Sequence, residues 1–318
     1  MGLTHNIKQK ALELGFDIVG ITDASPIDSC QAGFLFKWVE SGFAGQMAYM
    51  HKNLEKRIGP AGLLENARSV ICVGLNYNTP ALPQKYSDAV KSGRVANFAR
   101  YEDYHQFIKK RLRMLAVFLV SLAGDGLRFK LCVDSAPLAE RAIAARAGLG
   151  FVGKNHMLIS PEFGPQILLG EIITDIELQP DKPLSDSGNN CTGCNKCLSA
   201  CPTGALRPDG LFDANRCISY LTIEYSGQIP GELSGNIGNR IFGCDECVSA
   251  CPYFKDSPAC KNKQFTFLPD IAELDLAEIL NLDRKSFEIR FAGSCLERAG
   301  LDTLKRNAGV CLENADKL

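Results

Sequence analysis

The sequence predicts an α+β chain in three parts: a mixed domain over residues 1–180, a cysteine module over 181–260 and a helical tail over 261–318. Three observations carry this reading. Apolar runs of strand character alternate with helix-period stretches through the first part. Eight of the 14 cysteines fall between Cys191 and Cys251. An acidic stretch rich in Pro, Ser and Gly, from Gln179 to Asn190, reads as a linker between them.

In chain order, Thr4 caps a first helix with Ile7, Ala11 and Leu14 at helical spacing and Gly15 as its stop. Phe16–Thr22 is a strand. Phe34–Met50 is helical with glycine interruptions, and Ser69–Tyr77 is a strongly apolar buried strand. Thr79–Gln84 is a proline-rich loop. Ile108, Leu112, Leu115, Leu119 and Leu122 mark one face of a long helix. Phe129–Asp134 is the next strand, and Pro137 suits the first turn of a helix that stops near Gly148. Met157–Ser160 and Ile167–Leu178 add two more strands, and the segment beyond Cys260 is mostly helical by pattern.

With 35 Lys+Arg against 36 Asp+Glu, 46% hydrophobic and 22% charged residues, the composition is that of an ordinary globular protein. A generally basic nucleic-acid binder is excluded, although local basic patches are not. No apolar run reaches the roughly 18–20 residues of a membrane span, and the N-terminus lacks the apolar core of a secretory signal. A cytoplasmic chain is therefore expected, with its cysteines kept as thiols rather than disulfides.

The cysteines of the module form two related motifs. The first is Cys191-x2-Cys194-x2-Cys197-x3-Cys201-Pro202. The second is Cys217, then Cys244-x2-Cys247-x3-Cys251-Pro252, its first ligand 27 residues upstream of the rest. In the bacterial ferredoxin run, three thiolates hold one 4Fe–4S cube and the fourth crosses to the other. By that rule one cube takes Cys191, Cys194, Cys197 and Cys251, and the other takes Cys201, Cys217, Cys244 and Cys247. A pair of four-cysteine zinc sites is the competing reading, but zinc needs no C-x3-C-P ending. Cys72 and Cys132, in apolar runs, are buried small hydrophobes.

Within the first part, Val133–Ser160 is the densest stretch. Asp134 ends a strand ahead of a helix, and is either that helix's cap or a general acid held at a strand end. Gly148, Gly150 and Gly153, followed by Lys154 and Asn155, form a loop that backbone or ligand could approach closely. It is neither a Walker A loop nor a dinucleotide fingerprint. Lys85–Arg113 carries eight Lys/Arg against three Asp/Glu, with aromatic residues between them, and Arg284–Arg306 carries six against three. Such stretches are solvated helix faces or RNA contacts.

Together these motifs resemble the epoxyqueuosine reductases over nearly the whole chain. The resemblance rests on Ala48–Arg57, Ala67–Tyr77, Asp103–His105, Val133–Asn155 and Leu168–Leu178. It continues through both cysteine motifs, Arg216–Glu224, Ile237–Pro252 and Phe291–Asn314. It implies a nitroreductase-like, reductive-dehalogenase-like cobalamin-binding domain, then a ferredoxin-like module with two 4Fe–4S clusters and a short helical tail. The implied reaction reduces the epoxide of epoxyqueuosine in a tRNA anticodon loop to queuosine. Electrons pass from an external donor of ferredoxin or flavodoxin type through the clusters to cobalamin. Asp134 matches the catalytic acid, with a pKa raised by burial. Arg57, Asn97, Asp134, Lys154, Asn155, Ser219 and Tyr220 match positions near cobalamin, and Lys305, Arg306 and Asn307 match a motif near tRNA. A monomer without membrane attachment is expected, lacking the C-terminal helical-repeat domain of longer members. The alternatives are a related cobalamin-dependent reductase of a small molecule, a plain electron carrier, and a zinc-stabilised RNA-binding module.

Overall fold

The computed structural model of the chain describes residues 2–79, 91–184 and 191–317. Nearly all of the proline-rich loop, the start of the first basic stretch and the end of the linker lie outside the described residues. Nine strands are described: β1 Ile18–Asp23, β2 Ser69–Asn76, β3 Ser92–Val95, β4 Phe129–Cys132, β5 Phe151–Val152, β6 Leu158–Ile159, β7 Ile167–Thr174, β8 Arg240–Phe242 and β9 Glu273–Asp275.

Four of them form an antiparallel sheet in the order β1-β2-β7-β4. Every residue of β2 and β7 is buried. That is why both read as continuous apolar runs rather than alternating ones. Alternate side chains go to opposite faces. Ile71, Val73, Leu75, Leu168 and Ile172 meet Ile7 and Ala11 of helix Leu3–Glu13 and Ile108, Leu112, Leu115 and Leu119 of helix Tyr104–Ala123. Val70, Cys72, Leu169 and Ile173 meet Ile143 and Ala144 of helix Glu140–Arg146 on the other face. Gly20 of β1 is required by this packing, since a Cβ there would stand 2.1 Å from the Ala147 carbonyl oxygen.

A second core lies around the three-stranded sheet β8-β3-β9, with β3 parallel to β8 and antiparallel to β9. It joins Trp38, Val39 and Ala44 from the first part to Ile218 and Leu221 of the cysteine module. It also includes Leu274, Phe291, Leu304, Ala308 and Cys311 of the tail. All three sequence segments therefore contribute to one core, which ties the cysteine module rigidly to the strand sheet. Among the described residues no helix is long and apolar enough to cross a membrane.

The strand and long-helix readings hold, with three local corrections. Gly2, not Thr4, precedes the first helix, and Thr4 Oγ1 instead accepts the Gln179 amide at 3.1 Å. Leu122 is 43% exposed, because the apolar face of its helix drifts off the sheet at the last turn. Pro137 precedes its helix, which begins only at Glu140, since the chain first makes an irregular turn at Asp134.

Candidate active site and cluster centres

The eight cysteines of the two motifs gather into two groups. Cys191, Cys194, Cys197 and Cys251 line one small cavity with Lys154, Asn155, Ile159, Pro252 and Tyr253. Cys201, Cys217, Cys244 and Cys247 line part of a separate, larger cavity. The short helices Lys196–Ala200 and Glu246–Ser249, one from each motif, pack together and bring the far cysteine of each motif to the other's group. The crossed grouping is the one a two-cube ferredoxin run requires. The sulfurs stand around cavities instead of converging on a point. Among the described residues no three His, Cys, Asp or Glu are placed to hold a single metal ion. Two crossed sets of four thiolates are the donor sets that two cubes require.

The glycine-rich loop proves to be the hairpin of β5 and β6. Its tip presents Lys154 and Asn155 to the cysteine module. Lys154 Nζ donates to the carbonyls of Thr192 and Cys194 at 3.2 and 2.9 Å and to Asn195 Oδ1 at 2.9 Å. Asn155 Nδ2 donates to the Cys247 carbonyl at 3.3 Å, and the residue borders both cavities.

The larger cavity, about 350 Å³, runs from the second cysteine group to Asp134. Its walls include Tyr77, Phe98, Leu168, Ile218 and Ser219. Asp134 follows β4 with φ +53°, a left-handed conformation uncommon outside glycine that Asp tolerates better than most residues. It caps no helix. The side chain is 57% accessible, but that surface faces the cavity, and the carboxyl is otherwise surrounded by protein.

Asp134 Oδ2 lies 3.0 Å from His105 Nε2, and His105 Nδ1 lies 2.5 Å from Asp103 Oδ1. Asp103 also caps helix Tyr104–Ala123 by accepting the His105 amide at 2.9 Å. The helix start thus aims His105 at Asp134. Arg298 Nη1 stands 2.6 Å from the same His105 Nε2. Desolvation pushes the Asp134 carboxyl up, but the His105 hydrogen bond and the charges of His105, Arg298 and Arg141 outweigh it. The net pKa lies below the ordinary value, contrary to the expectation from burial alone. Desolvation pulls His105 down, but hydrogen bonds to Asp103 and Asp134 outweigh it and raise its pKa. The proton of this pair therefore rests on the imidazole. A raised folded-state pKa means the His105 contribution to stability is fully present below about pH 6.5. It is lost as pH rises through the higher folded value. Unfolding midpoints measured against pH should show this loss in the native chain and not in His105→Gln.

The remaining expected site residues divide. Ser219 faces the large cavity, whereas Tyr220 is buried in the second core with its Oη accepting the Gln46 amide at 2.6 Å. Arg57 lies beside the Asp134 turn, its carbonyl accepting the Ala139 amide at 2.9 Å, and its buried Nε has no partner. The Asn97 amide donates to Asp245 Oδ2 at 2.8 Å, next to Cys244.

The motif expected near tRNA requires a correction. Arg306 donates to the carbonyls of Leu221, Tyr225 and Gly227. Asn307 is fully buried and donates to the carbonyls of Thr222 and Ile241 at 2.8 and 2.9 Å. Both staple the helix after Cys217 to the tail by satisfying backbone carbonyls that would be costly to bury unpaired. Only Lys305 of the three keeps its side chain uncommitted to the core. Asn307→Ala should destabilise the chain by about 2–4 kcal/mol, given two orphaned carbonyls at roughly 1–2 kcal/mol each. Chemical denaturation of the reduced, cluster-loaded chain measures this.

Sequence reasoning assigned no role to His105, Glu140, Glu171 or Arg298. The signal for Glu171 was present as a lone acid inside an otherwise apolar strand, Ile167–Thr174. His105 and Arg298, 193 positions apart, meet only through the tertiary fold.

Two family models match the chain: a 4Fe–4S double cluster binding domain over residues 190–254, and "Epoxyqueuosine reductase QueG, DUF1730" over residues 57–135. The epoxyqueuosine reductase of Vibrio cholerae is 36% identical over 316 residues, covering 98% of this chain and 84% of that protein. The Cyclobacterium marinum enzyme is 37% identical, covering 96% of this chain and 95% of that one. Among solved structures, the Streptococcus thermophilus epoxyqueuosine reductase superposes with a TM-score of 0.89 at 34% identity, covering 99% of this chain and 82% of that one. An epoxyqueuosine reductase bound to an epoxyqueuosine-modified tRNA-Tyr stem loop superposes at 0.91 with 32% identity, covering 98% and 81%. The Bacillus subtilis enzyme, solved with its aspartate catalytic loop swung out of the active site, superposes at 0.90 with 32% identity, covering 98% and 82%. Identity above a third over almost the full length, with the same fold, places this chain in the epoxyqueuosine reductase family.

Proposed function

We propose that this chain reduces the epoxide of epoxyqueuosine in a tRNA anticodon loop to queuosine. The observation that carries the reading is the large cavity, walled by one cysteine group and by the constrained Asp134 with its His105 partner. Opening an epoxide to an alkene takes two electrons and two protons and releases water, so a reductant and an acid must meet at one place. The cavity brings both to the same wall.

The cavity's apolar walls, its polar Ser219 and its contact with cluster-ligand cysteines fit a bound cobalamin. When bound, cobalamin supplies the electrons to the C–O bond, a chemistry that side chains lack. Ser219 and Asn155 face the space for it, Lys154 holds the adjacent cysteine loop, and Arg57 flanks the Asp134 turn. Asn97 and Tyr220 act behind this wall, through Asp245 and Gln46. Residues 1–180 hold the cofactor and the acid, residues 181–260 carry the clusters, and residues 261–318 lock the module in place.

Asp134, a carboxylate at rest, takes a proton from His105, which Asp103 orients, and passes it to the leaving oxygen, and the second proton of the released water enters from solvent. The resting arrangement thus stores the proton one atom away from the acid. Cys191 and Cys194 hold the outer cube, since they are half-buried and the Thr192–Gly193 backbone between them is exposed. When bound, the two cubes would supply one-electron transfer from an external donor of ferredoxin or flavodoxin type, with Cys201, Cys217, Cys244 and Cys247 holding the one beside the cavity. Lys305 and the exposed basic residues of the tail meet the RNA. The chain acts as a monomer in the cytoplasm.

The test is anaerobic turnover with cobalamin, a chemical reductant and an anticodon stem loop carrying epoxyqueuosine, with queuosine read by nucleoside mass spectrometry. Queuosine formation is expected from protein carrying about eight irons. Cluster-loaded protein that binds cobalamin but leaves the stem loop unchanged would overturn the reading in favour of a small-molecule substrate.

A further inference from the structure

The cavity mechanism leaves one buried acidic pair unused. Glu171 sits in the middle of β7, fully buried, and neither of its carboxyl oxygens finds a hydrogen-bond donor. In register beside it are Cys72 of β2 and Cys132 of β4, both fully buried. Above this face lies helix Glu140–Arg146, and the Glu140 carboxyl comes within hydrogen-bonding reach of Glu171. Two acceptor-only groups cannot bond each other unless a proton lies between them. Two carboxylates in contact in a buried site disfavour each other's ionisation. Burial raises the pKa of Glu171 strongly and that of Glu140 to about 7.

The other end of Glu140 reaches the active site. Its Oε1 accepts the backbone amide of Asp134 at 2.6 Å. This is the residue held at φ +53°, and the bond spans the whole irregular turn between β4 and the helix. The left-handed conformation is uncommon outside glycine, and contacts around the turn select it for Asp134. Within that turn the Ser135 amide bonds Val133 and the Ala139 amide bonds Arg57, and among the described residues the Glu140 contact alone holds Asp134 by its backbone. His105 takes hold of the side chain.

We propose that Glu140 is a positioning residue which clamps the Asp134 amide and keeps the acid aimed into the cavity. Glu171, buried on β7 beneath helix Glu140–Arg146, serves as the floor on which Glu140 rests. The inference rests on the reading of Asp134 as the acid, but the clamp itself can be read without turnover. The Asp134 turn is anchored to the centre of the sheet through this relay, so its orientation is set by β7 and not by the loop's own sequence.

Hydrogen exchange followed by mass spectrometry on the cluster-loaded chain tests the clamp directly. Glu140→Ala is expected to speed exchange in the peptide covering Val133–Ala139 by on the order of 10- to 100-fold, the loss of one charge-assisted hydrogen bond. Turnover on the modified stem loop should fall comparably through kcat, with KM and iron content unchanged. Glu140→Gln keeps the acceptor oxygen and gives Glu171 a donor, so it should restore slow exchange and most of kcat. Glu171→Gln should behave as Glu140→Gln does, and it guards against a folding defect in the alanine variant. Unchanged exchange in Glu140→Ala would overturn the proposal. So would a Glu140→Gln variant as fast-exchanging as the alanine one. If the native chain failed to turn over at all while the exchange pattern held, the clamp would stand and the assignment of Asp134 as acid would fall.

Discussion

Asp134→Asn is expected to bind cobalamin and keep about eight irons while losing on the order of 10²- to 10⁴-fold in turnover, the usual contribution of a placed general acid. The amide has nearly the shape of the carboxyl, and its backbone bond to Glu140 does not depend on the side chain. The substitution therefore leaves the wall of the cavity intact and removes only the proton. The carboxyl itself is not kept protonated by burial, since His105, Arg298 and Arg141 hold its pKa down. The acid works as a pair, with His105 holding the proton and Asp134 delivering it. His105→Gln should accordingly lower kcat and abolish its fall at alkaline pH, where the native imidazole, with its raised pKa, gives up its proton. Single-turnover assays across pH with pre-reduced enzyme separate this from electron delivery. Full activity in Asp134→Asn would end the assignment.

Cys217→Ser is expected to halve the iron, from about eight to about four per chain, and to abolish turnover. Cys217 is the ligand furthest from its motif in sequence, yet it lines the cavity wall with Cys201, Cys244 and Cys247. Losing it removes the cube that faces the cavity and leaves the outer one. Electrons would then stop one cube short. Cys30, exposed and outside both groups, is the matched control, and Cys30→Ser should keep all the iron and all the activity. Iron analysis with low-temperature EPR of the reduced protein distinguishes one filled cube from two.

Much of the fold was legible because its strands are buried on both faces. A strand such as Ser69–Asn76, buried at every position, reads as a near-continuous apolar run rich in β-branched residues. The long helix was legible through the spacing of Ile108, Leu112, Leu115 and Leu119 on its buried face. The irregular turn at Asp134 was not, because its conformation is imposed by Glu140 and the sheet rather than by local propensity. The same holds for Asn307. Its place in a basic motif suggests RNA, whereas its burial makes it a staple between two carbonyls.

What the sequence alone determined is the inventory: two crossed cysteine motifs for two clusters, the family, and an aspartate at a strand end. Ligand spacing and strand periodicity are local properties, so they survive in one dimension. Only the tertiary structure decided how that inventory works. It placed one cysteine group against the cavity of Asp134, raised the pKa of His105 by setting it between two carboxylates, and tied Asp134 through Glu140 to the central strand. Such properties depend on desolvation and on groups tens or hundreds of residues apart, and no local pattern in the chain records them.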